Sequence, residues 1–135
     1  MPDYGRDLEF GASVEPMANP PDWAGRLAVL ADRAGLDLFG IQDHPYQRRF
    51  LDTWTLISTL VPVTERIRFF PDVANLALRP PAMLAKAAAS LDVLSGGRVE
   101  MGPGGDTRDA ATHRRGRHKG GARAAGDQAR LQRFG

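Results

Sequence analysis

The chain has 135 residues, 42% of them hydrophobic and 25% charged, with a net charge of +2; this is the size and make-up of one ordinary globular domain. It has no cysteine, which excludes a disulfide framework and a thiolate zinc site. No stretch approaches 18 consecutive apolar residues, and the N-terminus has no basic segment leading into an apolar one. The expectation is a cytoplasmic protein with no membrane partner.

The average charge hides two unlike segments. Residues 106–135 carry eight Lys or Arg against three Asp, a net of +5, which leaves residues 1–105 at −3. The larger apolar residues of this tail are Leu131 and Phe134 alone, too little to offset the entropy of ordering it, so it is expected to be disordered. Runs dominated by Ala, Arg and Gly are also what a GC-rich coding sequence yields when read out of frame. The expected division is therefore 1–105 as the folded domain and 106–135 as a basic tail foreign to it.

Along the chain, apolar residues at 10–14, set between Gly5 and the pair Glu15 and Pro16, predict a first short strand. Asn19, Pro20, Pro21 and Asp22 supply a cap residue, prolines suited to a first helical turn and an acid near a helix N-terminus. Trp23, Leu27, Leu30, Ala31 and Ala34 recur on one helical face, and Gly35 suits the position just past the helix end. The apolar run 38–41 has the character of a buried parallel strand, and it ends in the polar Gln42, Asp43 and His44, followed by Pro45.

Asp52 stands where it would cap a helix over 53–61, stopped near Pro62, and 67–74 reads as a third strand. Pro80 and Pro81 open a third helix carrying Met83, Leu84, Ala87, Leu91 and Leu94, which Ser95, Gly96 and Gly97 close. Residues 98–101 read as a fourth strand, followed by GPGG. Trp23 and Trp54 fall at core-facing helical spacing and are read as packing residues. The alternation implies parallel strands joined by right-handed crossovers, in a doubly wound sheet or a (β/α)8 barrel. Pattern alone leaves both open.

Among chemistry-bearing residues, His44 has a functional reading, because an imidazole titrates near neutrality and suits proton transfer. The plainer reading is a strand-end histidine that caps a loop. Asp43 is a candidate to orient His44 or to bond a coenzyme, and equally a turn former. No metal is expected: Asp43, His44, His113 and His118 match no compact ligand spacing. GPGG fits neither GxGxxG nor GxxxxGK[ST], so a turn is the simpler reading. The basic tail lacks interleaved aromatics and any nucleic-acid motif, so no specific nucleic-acid partner is expected.

The strings FGASVEP, AGLDLFGIQDHPY and TERIRFFPDVANLALRPPAMLAKAAASLDVLSGGRVEMG, in this order and spacing, resemble the luciferase-like monooxygenase superfamily over about residues 8–105. Within it they look most like the branch that uses the deazaflavin coenzyme F-420. The resemblance implies the N-terminal half of a (β/α)8 barrel, four β/α units, with a flavin or deazaflavin at the C-terminal ends of the strands, where such barrels place their active sites. It implies hydride transfer to or from a small organic substrate, FMN-dependent monooxygenation as the close variant, and a homodimer.

By the same resemblance, Asp43 and His44 lie beside the reactive ring. Asp72 and Val73 form a bulge, commonly with a non-prolyl cis peptide, that supports the ring from behind; Asn75 and Gly102 complete the implied coenzyme contacts. Ser13 and Val14 border the substrate pocket. Pro103 departs from the family pattern, and the resemblance is expected to end at Gly105. A contrasting expectation is a non-catalytic fragment or interaction module without coenzyme binding. Limited trypsin digestion of the purified chain is expected to cut first within 106–135 and to leave a resistant N-terminal product; a protected tail would contradict the foreign-tail reading.

Overall fold

The computed structural model describes residues 8–101. The basic tail at 106–135, Gly102 and the GPGG string lie outside the described residues. Three short strands, β1 (Gly11–Val14), β2 (Leu38–Ile41) and β3 (Arg68–Pro71), form a parallel sheet in that order. Parallel neighbours need crossovers, and the helices α1 (Trp23–Arg33), α2 (Thr53–Leu60) and α3 (Pro81–Leu94) follow the strands in turn. The register aligns Ala12 with Phe39 and Phe69, and Val14 with Ile41 and Pro71.

That face of the sheet carries the core. Phe39, Ile41 and Phe69 pack with Ala24 and Ala28 of α1, Trp54, Ile57 and Leu60 of α2, and Leu84 and Ala88 of α3. The Phe39 and Phe69 rings meet edge to face with centroids 5.9 Å apart, a favoured aromatic geometry. The alternate residues, Ser13, Gly40 and Phe70, form a row on the opposite face. Gly40 is needed there, because a Cβ would fall 2.7 Å from the tip of the Phe70 ring.

Helix boundaries follow the predicted signals in part: α1 begins at Trp23 with Asp22 at its N-cap and no side-chain cap bond, so Asn19 is not its cap and Pro20 and Pro21 lie ahead of its first turn. Asp52 caps α2 by accepting the Thr55 N–H at 2.9 Å, and Gly35, just past α1, adopts φ +85°, a conformation open to glycine. The buried face of α1 differs from the expected one. Ala24, Ala28, Ala31 and Asp32 are buried, whereas Trp23 is 38% and Leu30 63% exposed, so Trp54 is a packing residue and Trp23 is not. Asp32 fixes that rotation by reaching the backbone ahead of β3, and alanines beside it let the helix lie close to the sheet.

In α3 the buried positions are Leu84 and Ala88, while Met83 and Leu94 are exposed. The fourth predicted strand is reduced, among the described residues, to one parallel bridge: Phe69 donates its N–H to the Arg98 carbonyl and accepts that of Glu100, each at 2.8 Å. The third strand is shorter than predicted, because the chain turns at Asp72 and Val73, whose peptide bond is cis.

Two side chains tie down the loop that enters β3. Asp32 accepts the N–H groups of Glu65 at 2.7 Å, Arg66 at 3.0 Å and Ile67 at 2.8 Å. Arg98 donates to the carbonyls of Val61 at 2.8 Å and Ser95 at 3.2 Å and to the Thr64 hydroxyl at 3.0 Å. Burial pushes the Asp32 carboxyl up, and the bonds from Glu65, Ile67 and Arg66 outweigh it, so the group sits below the usual carboxylate range. A depressed carboxylate stabilises the fold above its unfolded value of about 3.9 and loses that contribution as pH falls through the folded value. In urea unfolding at pH 7, Asp32→Asn is expected to cost about 1–3 kcal/mol. The gap to wild type should close below about pH 4; equal stabilities at pH 7 would contradict the role of Asp32.

Candidate active site

The C-terminal ends of the three strands are joined to one another. Gln42 donates its N–H to the Val14 carbonyl at 3.0 Å, and Asp72 donates its own to Ile41 at 2.7 Å. Above them the Ser13 hydroxyl donates to Asp72 Oδ2 at 2.6 Å, which links β1 to the end of β3 across the intervening strand. The loops are bound as well: Ala18 donates to the Arg49 carbonyl at 2.8 Å and Leu51 to that of Pro16 at 2.7 Å. Thr53, at the start of α2, donates its hydroxyl to the Gln42 carbonyl at 2.6 Å.

Asp43 and His44 part company here. Asp43 is 1% exposed; its Oδ2 accepts the Asn75 N–H at 2.9 Å and its Oδ1 a proton of Arg79 at 3.1 Å. With both oxygens engaged inside the protein, it acts through the segments it holds. The same Arg79 nitrogen donates to Asp52 Oδ1 at 2.6 Å. Burial works against the Arg79 charge, and the bonds to Asp43 and Asp52 outweigh it, raising its pKa above the ordinary value. For Asp52, burial pushes the carboxyl up, but Arg79 and Thr55 hold it below the usual range. Asn75 is committed too, its side-chain oxygen accepting the Leu78 N–H at 3.3 Å.

His44 is half-buried against two rings, with centroids 5.4 Å from Tyr46 and 6.4 Å from Phe50. Such walls fix the plane of an imidazole while leaving its edge available for hydrogen bonding. Val73 is half-exposed, an apolar side chain at the strand ends beside the Ser13 and Asp72 pair. The recess lined by Val29, Asp32, Arg33, Val63, Glu65 and Arg66 involves the loop ahead of β3, at the other end of the sheet.

The family described as luciferase-like monooxygenase matches residues 8–132. The chain belongs to that family. The match continues past Gly105, where the sequence reading ends the resemblance, so the family relationship gives no boundary at that point. Among solved structures, this luciferase-like chain is similar to the coenzyme F-420-dependent tetrahydromethanopterin reductase from Methanopyrus kandleri, at 26% identity and a TM-score of 0.66, over 82% of this chain and 30% of that one. It is similar to the oxygenating constituent of 3,6-diketocamphane monooxygenase from Pseudomonas putida in complex with FMN, at 28% identity and 0.64, over 82% and 33%. The monooxygenase RslO1 from Streptomyces bottropensis follows at 25% and 0.63, over 78% and 36%. The chain thus spans about a third of the length of the structures it matches. Its mixed α/β fold with a parallel sheet corresponds to part of a luciferase-like TIM barrel.

Of the residues singled out in the sequence, Ser13, Asp43, His44, Asp72, Val73 and Asn75 all fall at one end of the sheet, and Gly102 is outside the described residues. Sequence reading missed Arg79, and saw Asp52 only as a cap. The spacing of an arginine just ahead of Pro80 carries no signal of two aspartates far away in the chain. Asp52→Ala removes both the α2 cap and a partner of Arg79, and is expected to lower stability by about 1–2 kcal/mol at pH 7. As Asp52 is depressed, the difference should shrink as pH falls below about 4. An unchanged denaturation midpoint at pH 7 would contradict the assignment.

Proposed function

We propose that this luciferase-like chain carries the ring-facing part of a deazaflavin-dependent oxidoreductase, with coenzyme F-420 as hydride carrier and a small organic molecule as substrate. FMN-dependent monooxygenation is the close alternative. The observation that carries the reading is the convergence of Ser13, His44, Asp72 and Val73 at the C-terminal ends of parallel strands, the end at which barrels of this kind place their chemistry. Both coenzymes occur among the similar structures, one of them F-420-dependent and one in complex with FMN. The preference for the deazaflavin rests on the resemblance around Asp43 and His44.

The residues present fit a flat ring with polar edges. Val73, half-exposed and apolar, supplies a surface for the ring, and Asn75 stands two residues on. Asp72 is held by its bonds to Ser13 and Ile41, which keeps the support in place. When bound, the coenzyme supplies the hydride chemistry, and the protein supplies orientation and a protected pocket. His44, its plane set by Tyr46 and Phe50, holds or moves a proton at an imidazole nitrogen. Asp43 fixes the chain on which His44 sits rather than touching the ring. Ser13 and Val14 border the substrate space. A homodimer is carried over from the resemblance.

A second reading is favoured by one observation: the chain spans about a third of its structural relatives, while Leu8 is 84% and Phe10 64% exposed ahead of β1. On that reading the chain by itself is a weak coenzyme binder. In the family, contacts to the phosphate-bearing tail come from later strands. Two or three missing charge-assisted hydrogen bonds correspond to about a thousandfold or more in affinity. Titrating the 135-residue chain with F-420 and with FMN, followed by coenzyme fluorescence, is expected to give weak saturable binding that His44→Ala and Val73→Asp reduce further. Binding unaffected by both substitutions would overturn the assignment to these residues, and no binding would favour the second reading; micromolar binding abolished by His44→Ala would overturn the weak-binder reading.

A further inference from the structure

Three stretches distant in sequence meet at Arg79. One Arg79 nitrogen bonds Asp43, at the end of β2, and Asp52, the first turn of α2. Through the other oxygen of Asp43 the link passes to the Asn75 backbone at 2.9 Å. His44 follows Asp43 directly, and Val73 precedes Asn75 by two residues. From this geometry we infer that Arg79 is a positioning residue, the single cation that sets where the segment bearing Val73 stands relative to the segment bearing His44. The inference rests on the reading of His44 and Val73 as coenzyme contacts, and it assigns Arg79 no contact with coenzyme or substrate.

The charge balance explains why one residue has this effect. Asp43 is 1% exposed, and a polar group at that depth is costly to bury unless hydrogen-bond donors meet it. Without Arg79 the donor given to it is the Asn75 N–H. The Asp43 side chain then loses one of its two partners and is free to turn toward water. Such movement weakens the bond from Asn75 and shifts the neighbouring His44, so the two segments lose their common reference. Asp52, more open to solvent, keeps its bonds to Thr55 at 2.9 Å, so α2 retains its cap and the disturbance stays local.

The contact geometry also decides which substitution preserves the link. One nitrogen makes both bonds, and the Arg79 Nε is buried without a partner, so the planar fork of the guanidinium is not what the two aspartates require. A lysine ammonium, a point charge with three donors, suits the same place. Arg79→Lys therefore separates positioning by charge from a loss of packing, which Arg79→Met shares only in part.

The test uses the whole chain and two measurements, amide hydrogen exchange and titration with FMN. Arg79→Met is expected to speed exchange of the Asn75 amide about tenfold or more while the Gln42 and Asp72 amides keep their wild-type rates. Arg79→Lys is expected to stay within about threefold of wild type. FMN binding should weaken in Arg79→Met and recover in Arg79→Lys. An Asn75 amide that exchanges at the wild-type rate in Arg79→Met would overturn the inference, as would Arg79→Lys proving as disruptive as Arg79→Met. If Arg79→Met loses protection throughout the sheet, Arg79→Gln reads the same link: faster exchange confined to Asn75 supports it, and a wild-type rate there overturns it. Absence of FMN binding by the wild-type chain counts against the proposed function, while the Asn75 amide still decides the role of Arg79.

Discussion

Parallel strands are never joined by a tight turn, so each strand end is a place where the chain departs for a helix and leaves polar backbone behind. Something other than the ladder has to hold those departures together. In this chain buried carboxylates perform much of that task. Asp32 gathers three successive N–H groups on the way into β3, and Asp43 gathers Asn75 and Arg79 on the way out of β2 and β3. An ionised group in the interior is tolerated because donors surround it, and those donors belong to segments that would otherwise be fixed by little else. The two ends of the sheet are thus set by the same chemistry, used at one end for structure alone and at the other beneath a candidate site.

Much of this was legible in the sequence. The order of strands and helices, the cap at Asp52, the glycine after α1 and the break after α3 are local signals, each written in residues close to where they act, and each appears in the structure. The rotation of α1 was legible only in part, since the predicted series 23, 27, 30, 31 and 34 and the buried series 24, 28, 31 and 32 share Ala31 alone, and both are helical stripes. Larger side chains favoured the first, but the buried face is the second, because Asp32 lies on it and its partners are 33 to 35 residues away. A long-range bond outweighed local hydrophobicity, and single-sequence periodicity contains no trace of it.

The candidate site was legible to the extent that it depends on strand ends. Ser13 lies within a recognisable apolar run, and His44, Asp72 and Val73 follow such runs, which puts all four toward one end of the sheet. Arg79 was not legible, since its importance comes from meeting Asp43 and Asp52 across 36 and 27 residues. The fourth strand shows the opposite error. Arg98 to Met101 has strand-like composition, yet among the described residues its ladder amounts to one bridge to Phe69. Meanwhile the Arg98 side chain is spent on the Ser95 carbonyl at the end of α3 and the Val61 carbonyl at the end of α2.

The differing fates of Asp43 and His44 follow from alternation along a strand. Phe39 and Ile41 point to the helices, and the next residue of that parity is Asp43; Gly40 points the other way, and its parity leads to His44. A carboxylate delivered toward the helices enters the low-dielectric side of the sheet, where it needs a cation, and α3 begins just after the arginine that supplies one. His44 has the parity of Gly40, which β1 alternation pairs with Ser13, and its ring meets Tyr46 and Phe50. Asp72 has the parity of Phe70 and accordingly meets Ser13, not Asp43. One period-two rule, continued up to three residues past a strand, thus groups Asp43 with the core-facing row and His44 and Asp72 with the row of Ser13, Gly40 and Phe70. It also explains why a neighbouring Asp and His, read as a pair from sequence, serve different ends in the folded chain.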